Sequence, residues 1–279
     1  MNRPIGSAGT ATAQQIGIER RPKLARRLRV GCAGWAVASA HRHLFLDGES
    51  ALARYATLFN IVEINSSFHR PHQRKTYERW AAAVPVDFRF SVKLPRTITH
   101  ELRLRQSGPL LDRFIDESSG LGDKLGCLLV QLPPTLVFDA RLASTFLMML
   151  RRRWSGGIAF EPRHLSWFGA ATDALWARHG IARVGVDPAL DVAARNAVGS
   201  GPVRYWRWHG SPRMYYSDYD ENTLSKLAAE VVERTPGGTD AWIIFDNTAL
   251  GFATPNAARL QDLLDKLQKS HAPAVTVGA

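Results

Sequence analysis

At 279 residues, with 45% hydrophobic and 22% charged side chains, the chain has ordinary globular composition and enough apolar material for one large core, which excludes bulk disorder. No run of 18 apolar residues occurs, so no membrane-spanning helix is expected. The formal charge of +11 is concentrated at the start, where residues 1–29 carry Arg3, Arg20, Arg21, Lys23, Arg26, Arg27 and Arg29 against Glu19 alone, a net +6 that leaves +5 for the rest.

The opening MNRPIGSAGTATAQQIG is small, polar and aperiodic, and it lacks the apolar centre of a secretory signal. Residues 1–28 are expected to form a flexible basic tail, which is the one part of the chain suited to touching nucleic acid through charge. Cys32 and Cys127 lie in apolar runs without CxxC spacing, against a disulfide framework and for a reduced, cytoplasmic setting.

Eight short apolar runs then read as strands: RVGCA (29–33), IVEIN (61–65), FRFSVK (88–93), GCLLVQ (126–131), IAFE (158–161), ARVGVD (182–187), VRYWRWH (203–209) and WIIFD (242–246). Helical spacing separates them, as in Leu52/Tyr55/Phe59, Tyr77/Trp80/Val84, Leu110/Phe114/Ile115, Leu142/Phe146/Leu150, Leu224/Leu227/Val231 and Leu260/Leu263/Leu267. Asp139 and Ser166 offer N-caps, Thr254–Pro255 a cap and first-turn proline, and Gly180 a helix stop. The alternation predicts an α/β fold, a single-domain (β/α)8 TIM barrel over residues 29–268, with 269–279 a flexible C-terminal tail. Residues 188–202 are short for a sixth helix, which keeps an open doubly wound sheet as the alternative.

In such barrels the reactive groups sit where strands end. The final residues of seven runs are Asn65, Lys93, Gln131, Glu161, Asp187, His209 and Asp246. Period 2 puts Glu63, Arg89, Ser91, Arg183, Tyr205 and Arg207 on the same faces, and turns Trp206 and Trp208 outward beneath the helices. Arg89, Lys93, Arg183 and Arg207 balance Glu63, Glu161, Asp187 and Asp246, so ion-paired packing is one reading of this set and a functional site the other.

The stretches VGCAGW (30–35), FNIVEINSSFHRP (59–71), FRFSVKLPRTITHELRL (88–104), LGDKLGCLLVQLPP (121–134), EPRHLSWF (161–168), WRWHG (206–210) and FDNTALGFATPNAARL (245–260) resemble the YecE-like family, domain of unknown function 72. The resemblance implies a TIM barrel and brings no established reaction. It maps the family's recurrent residues onto Trp35, Glu63, Asn65, Phe68, Arg70, Lys93, His100, Gln131, Glu161, Arg163, His164, Trp167, His209, Asp246 and Asn247, with His69 standing where a tyrosine is usual.

Three functions fit these groups. In the first, Glu161 or Asp246 acts as general acid or base, and His209, His164 or His100 handles the second proton. Lys93, Arg163 and Arg70 then hold an anionic group, Trp35, Trp167 and Tyr216 offer flat surfaces, and the substrate is a small anionic or polyhydroxylated molecule such as a sugar phosphate, nucleotide or carboxylate. In the second, Glu161, Asp187, His209 and Asp246 bind a divalent metal for isomerase or phosphoesterase-like chemistry. In the third, the protein binds a ligand or nucleic acid without catalysis.

Overall fold

All eight apolar runs form strands in the computed structural model, which describes residues 28–271. They are β1 (Leu28–Ala33), β2 (Ile61–Ile64), β3 (Arg89–Lys93), β4 (Leu125–Gln131), β5 (Gly157–Glu161), a sixth split into β6 (Ala182–Arg183) and β7 (Gly185–Asp187), then β9 (Val203–Trp208) and β10 (Asp240–Phe245). The short β8 (Val198–Gly199) is additional. Neighbours run β7-β9-β10-β1-β2-β3-β4-β5-β6-β8, parallel except for antiparallel β6–β8. The split sixth strand closes the barrel, since β6 pairs with β5 while β7 pairs with β9.

Nine α-helices connect the strands among the described residues: α1 (Ala51–Tyr55), α2 (Ser66–His69), α3 (Arg74–Ala82), α4 (Gly108–Ser118), α5 (Ala140–Arg153), α6 (Ala170–His179), α7 (Val192–Arg195), α8 (Glu221–Arg234) and α9 (Ala253–His271). The Asp139 side chain accepts from Leu142 N at 2.9 Å and starts α5, and Gly180, at φ 59°, ends α6. Ser166 caps nothing, because α6 begins later, after Gly169, and Ser166 Oγ accepts from Phe138 N instead. The sixth crossover contains only the single turn α7 and the strand β8, so no full helix covers that position.

The boundaries differ slightly from those read in the sequence. Leu28 already belongs to β1, and α9 continues to His271, three residues into the expected tail. Arg29, counted with the basic arm, is only 7% exposed and donates to the Asp87 carbonyl at 3.0 Å. The remainder of that arm lies outside the described residues. No described helix is long and apolar enough to cross a membrane.

Period 2 sorts the strand residues as expected except on the split sixth strand, where Ala182, Val184 and Val186 take the lumen face, Arg183 turns outward to the Ala193 carbonyl and the Phe168 ring, and Asp187 turns outward to the Tyr219 hydroxyl. Val30, Ile64, Phe90, Val92, Leu128, Val130, Phe160, Trp206, Trp208 and Phe245 face outward into the layer beneath the helices. Ile61, Cys127, Leu129, Ala159, Val184, Val203, Trp242 and Ile244 fill the lumen. Gly31 lets β1 and β2 approach α1, since a Cβ there would lie 2.2 Å from Ile61 O and 2.7 Å from the Tyr55 hydroxyl. That hydroxyl donates to Ile61 O at 2.9 Å and accepts from Cys32 N at 2.8 Å.

Above this apolar plug the lumen turns polar. The Tyr205 hydroxyl donates to Glu63 Oε2 at 2.7 Å and meets Ser91 Oγ at 2.9 Å, all three groups being buried. Burial pushes the phenol well above its ordinary range, which keeps it a donor to the carboxylate. Tyr205→Phe removes that donor and is expected to lower stability by about 1–3 kcal/mol, the scale for stranding a buried hydrogen-bonding group. Urea denaturation of the two proteins measures it, and equal midpoints would show the hydroxyl to be dispensable.

Candidate active site

The mouth is built on backbone that stays in register past the strand ends. Leu94 N bonds Leu129 O at 2.9 Å, Leu132 N bonds Glu161 O at 3.0 Å, His209 N bonds Asp187 O at 2.7 Å, and Asp246 N bonds Trp208 O at 2.8 Å. The terminal side chains of β3, β4, β5, β9 and β10 are thereby held by sheet geometry rather than by loops.

Arg207 forms the floor. Its Nε and Nη2 grip Glu63 at 3.0 and 2.7 Å, Nη1 donates to Glu161 Oε2 at 2.8 Å, and Nη2 reaches Asp246 Oδ2 at 2.9 Å. Arg207, Glu63 and Glu161 are fully buried, so they form an internal ionic layer beneath the mouth. Burial disfavours the Arg207 charge, but Glu63, Glu161 and Asp246 outweigh that and hold the guanidinium well above its usual range. Glu161 is served by three donors: Arg207, Arg163, and Gln131 Nε2 at 2.9 Å. Burial raises its carboxyl, and the Arg163 and Arg207 charges more than reverse this, leaving it well below the normal carboxylate range.

His209 has a defined state. Arg163 Nη2 lies 2.9 Å from His209 Nε2 and can only donate, so Nε2 is the acceptor and Nδ1 carries the proton. That proton points at Asp246 Oδ2, 3.0 Å away. The 3.5 Å between His209 Nε2 and Glu161 Oε1 then separates two acceptors that share Arg163 as donor. Asp246 is buried, which raises its carboxyl, and the Arg207 charge and the His209 hydrogen bond bring it below the usual value.

Over this floor opens a cleft of about 450 Å³ lined by Asn65, Phe68, His69, Lys93, Arg96, His100, Gln131, Tyr215, Asp246 and Thr248. Lys93 is 8% exposed, and its ammonium sits 4.2 Å from the centre of the Phe68 ring. It belongs to no ion pair among the described residues. Burial and the Arg207 charge lower it to about 8, against the opposing pull of Glu63, Glu161 and Asp246. His100 packs edge-on to Phe68 at 4.9 Å, and burial with Lys93 and Arg96 nearby lowers its pKa.

Of the residues expected at the site, Asn65, Lys93, His100, Gln131 and Asp246 line the cleft, while Glu63, Glu161 and Arg207 are buried with His209, which lies between Arg163 and Asp246. The others sit elsewhere. Trp167 is buried against Phe160 and Trp176 and donates to Leu136 O at 2.7 Å, so it belongs to the outer layer. Trp35 packs edge-on to Trp80, and Arg70 is exposed. The Tyr216 ring lies under Arg213. His164 Nδ1 bonds Ser166 Oγ at 2.8 Å in the loop after β5. Asn247 is buried and braces the loop before α8 through Ser217 O and Asn256.

The cleft also contains Arg96, Tyr215 and Thr248, which strand-end reasoning does not reach because they lie on loops. Tyr215 is aimed by backbone: its φ of 69° is left-handed, its N–H bonds His209 O, and its ring meets His209 edge-on at 5.9 Å. Of the adjacent pair Tyr215–Tyr216 in the sequence, it is Tyr215 that lines the cleft.

The donor set does not suit a resident metal. Asp187 accepts from the Tyr219 hydroxyl at 2.7 Å, while Glu161 and Asp246 are both taken by guanidinium groups. Among the described residues no group of three or more His, Cys, Asp or Glu is arranged to hold an ion.

Comparison with known proteins agrees with this architecture. The chain is 31% identical over 165 residues to UPF0759 protein YecE of Escherichia coli K12, an alignment covering 58% of this chain and 57% of that relative, so it spans little more than half of the relative's length. Similarity to UPF0759 protein YunF of Bacillus subtilis is lower, 22% over 267 residues, but covers 85% of this chain and 94% of YunF. A DUF72 family protein from Thermotoga maritima superposes with TM-score 0.73 at 24% identity, over 85% of this chain and 99% of that one. One from Enterococcus faecalis gives 0.72 at 22% identity, over 85% and 95%. The family model described as protein of unknown function DUF72 matches residues 29–277, and with barrel and motifs in agreement the chain belongs to that family.

Proposed function

We propose that the protein is an enzyme that holds a small anionic or polyhydroxylated molecule over Lys93 and acts on it by proton transfer, as a hydrolase or isomerase would. The observation that carries this reading is Lys93 itself, a buried cation without an ion-pair partner among the described residues, lining a polar cleft where barrels place their chemistry. Lys93, Arg96 and His100 give the cleft an anion-accepting side, and Gln131 and Asn65 offer amides for hydroxyl groups. Asp246 supplies a carboxylate in the same cleft, oriented by Arg207 and His209. A reducing, cytoplasmic setting is part of the same reading, supported by Cys32 and Cys127 being free and buried.

Thermal-shift measurements against sugar phosphates, nucleotides and small carboxylates test it. A ligand at 100 times its Kd should add about 2.7 kcal/mol, roughly 5–10 °C in Tm for a domain of this size. The metal alternative predicts a response to divalent ions instead, and the nucleic-acid alternative a salt-dependent affinity that vanishes with residues 1–27. No shift with any anionic ligand would overturn the proposal.

A further inference from the structure

The lysine at the end of β3 is placed for more than holding charge. One side of its ammonium is covered by the Phe68 ring at 4.2 Å, and the side chain otherwise faces the cleft. Its carboxylate neighbours are engaged elsewhere, Glu63 and Glu161 by Arg207 and Asp246 by Arg207 and His209, so none of them forms an ion pair that ties down Nζ. Three polar groups share the cleft with it. Tyr215 has a hydroxyl that burial and Asp246 keep protonated, and Asp246 is ionised. Asn65 carries a buried Oδ1 that no described protein donor reaches.

We propose that Lys93 Nζ forms an imine with the carbonyl carbon of an aldehyde or ketone that also bears a carboxylate or phosphate. This rests on the reading of the cleft as an anion site and names the substrate class within it. The neutral amine adds its lone pair to the carbonyl carbon, the π pair moves to oxygen, and that oxygen takes a proton while nitrogen releases one, giving a carbinolamine. A second proton transfer expels the hydroxyl as water, and the nitrogen pair closes the C=N bond. Amine and carbonyl become imine and water, with no oxidant or reductant required. Tyr215 can supply the proton to the departing oxygen. Arg96 and His100 remain for the anionic group. The lowered basicity of Lys93, to about 8, makes the reactive free amine accessible near neutral pH, as it is not for an exposed lysine.

The full-length protein is incubated at neutral pH with pyruvate or, separately, with dihydroxyacetone phosphate, reduced with sodium borohydride, and mapped by peptide mass spectrometry. The expected result is a secondary-amine adduct at Lys93, about tenfold or more above that at the exposed Lys75 and Lys226. Which of the two probes labels it tells whether the anionic group is a carboxylate or a phosphate. Lys93→Met, verified as folded by its melting curve, should leave only the background at Lys75 and Lys226. In parallel, inorganic phosphate and acetate, which have no ketone or aldehyde to trap, are tested for thermal stabilisation. Stabilisation by either anion together with no enrichment at Lys93 would overturn the imine and leave the anion reading standing. Neither stabilisation nor enrichment would overturn both.

Discussion

Arg207→Met is expected to leave the barrel unable to stay folded at neutral pH. Breaking one buried pair costs about 3–5 kcal/mol, and Arg207 is the common partner of Glu63, Glu161 and Asp246. The loss is therefore on the scale of the roughly 5–15 kcal/mol that holds a typical domain together. The pH dependence should also change sign. In the native protein the Glu161 and Asp246 carboxyls lie below their unfolded values, so the stability they contribute is present above about pH 4 and lost as pH falls through the folded values. Without Arg207, burial prevails at Asp246, its folded value rises above the unfolded one, and stability is instead lost as pH rises between the two. Acidification from pH 7 to about 5 should then narrow the stability gap between the variant and the native protein. Circular dichroism with urea titration across that range measures both, and Arg207→Lys, which keeps one charge, should fall between. A methionine variant with native stability and native pH slope would refute the ionic layer as a unit.

The second large effect has the opposite sign. Lys93→Met should abolish the ligand response and raise stability by up to about 3 kcal/mol at pH 7, because a buried lysine whose value falls from 10.5 to about 8 opposes folding while charged. A lowered folded value means that the unfolded chain binds more protons between about 8 and 10.5, so this penalty is complete below about 8 and fades as pH rises towards 10.5. The native protein should accordingly close the gap to the variant over that window. Parallel melts at pH 7, 9 and 10.5 with a ligand found in the thermal screen read both consequences. A variant that loses stability at pH 7 and still binds would place Lys93 among structural residues.

Much of this site was legible because strand geometry dictates it. Residues two apart share a face, so Lys93, Gln131, Glu161, His209 and Asp246 could be read as one ring, and Glu63, Tyr205 and Arg207 as the layer beneath. Depth was harder to read. Nothing in WRWHG says that Arg207 and His209 are both fully buried while Lys93 and Asp246 keep an edge on the cleft. Loop residues escaped in both directions, because no period fixes where they point. Trp167 turned outward to join Phe160 and Trp176, and Tyr215 rather than Tyr216 entered the cleft by way of a left-handed backbone. The sixth crossover was legible as a gap in helical patterning, but the antiparallel pairing of β8 with β6 depends on a contact that no local pattern encodes.

The reach of Arg207 has a consequence for which strand pairings the chain can adopt. From β9 it bonds Glu63 on β2, Glu161 on β5 and Asp246 just past the end of β10, strands distributed around the whole circumference. Sliding any of these strands by one residue would turn its acid out of the lumen into the apolar layer beneath the helices, and would bring a valine, isoleucine or phenylalanine in towards the guanidinium. One arginine thus checks the alignment of three strands at once, and misregistered barrels are penalised by unpaired charge rather than by lost packing alone.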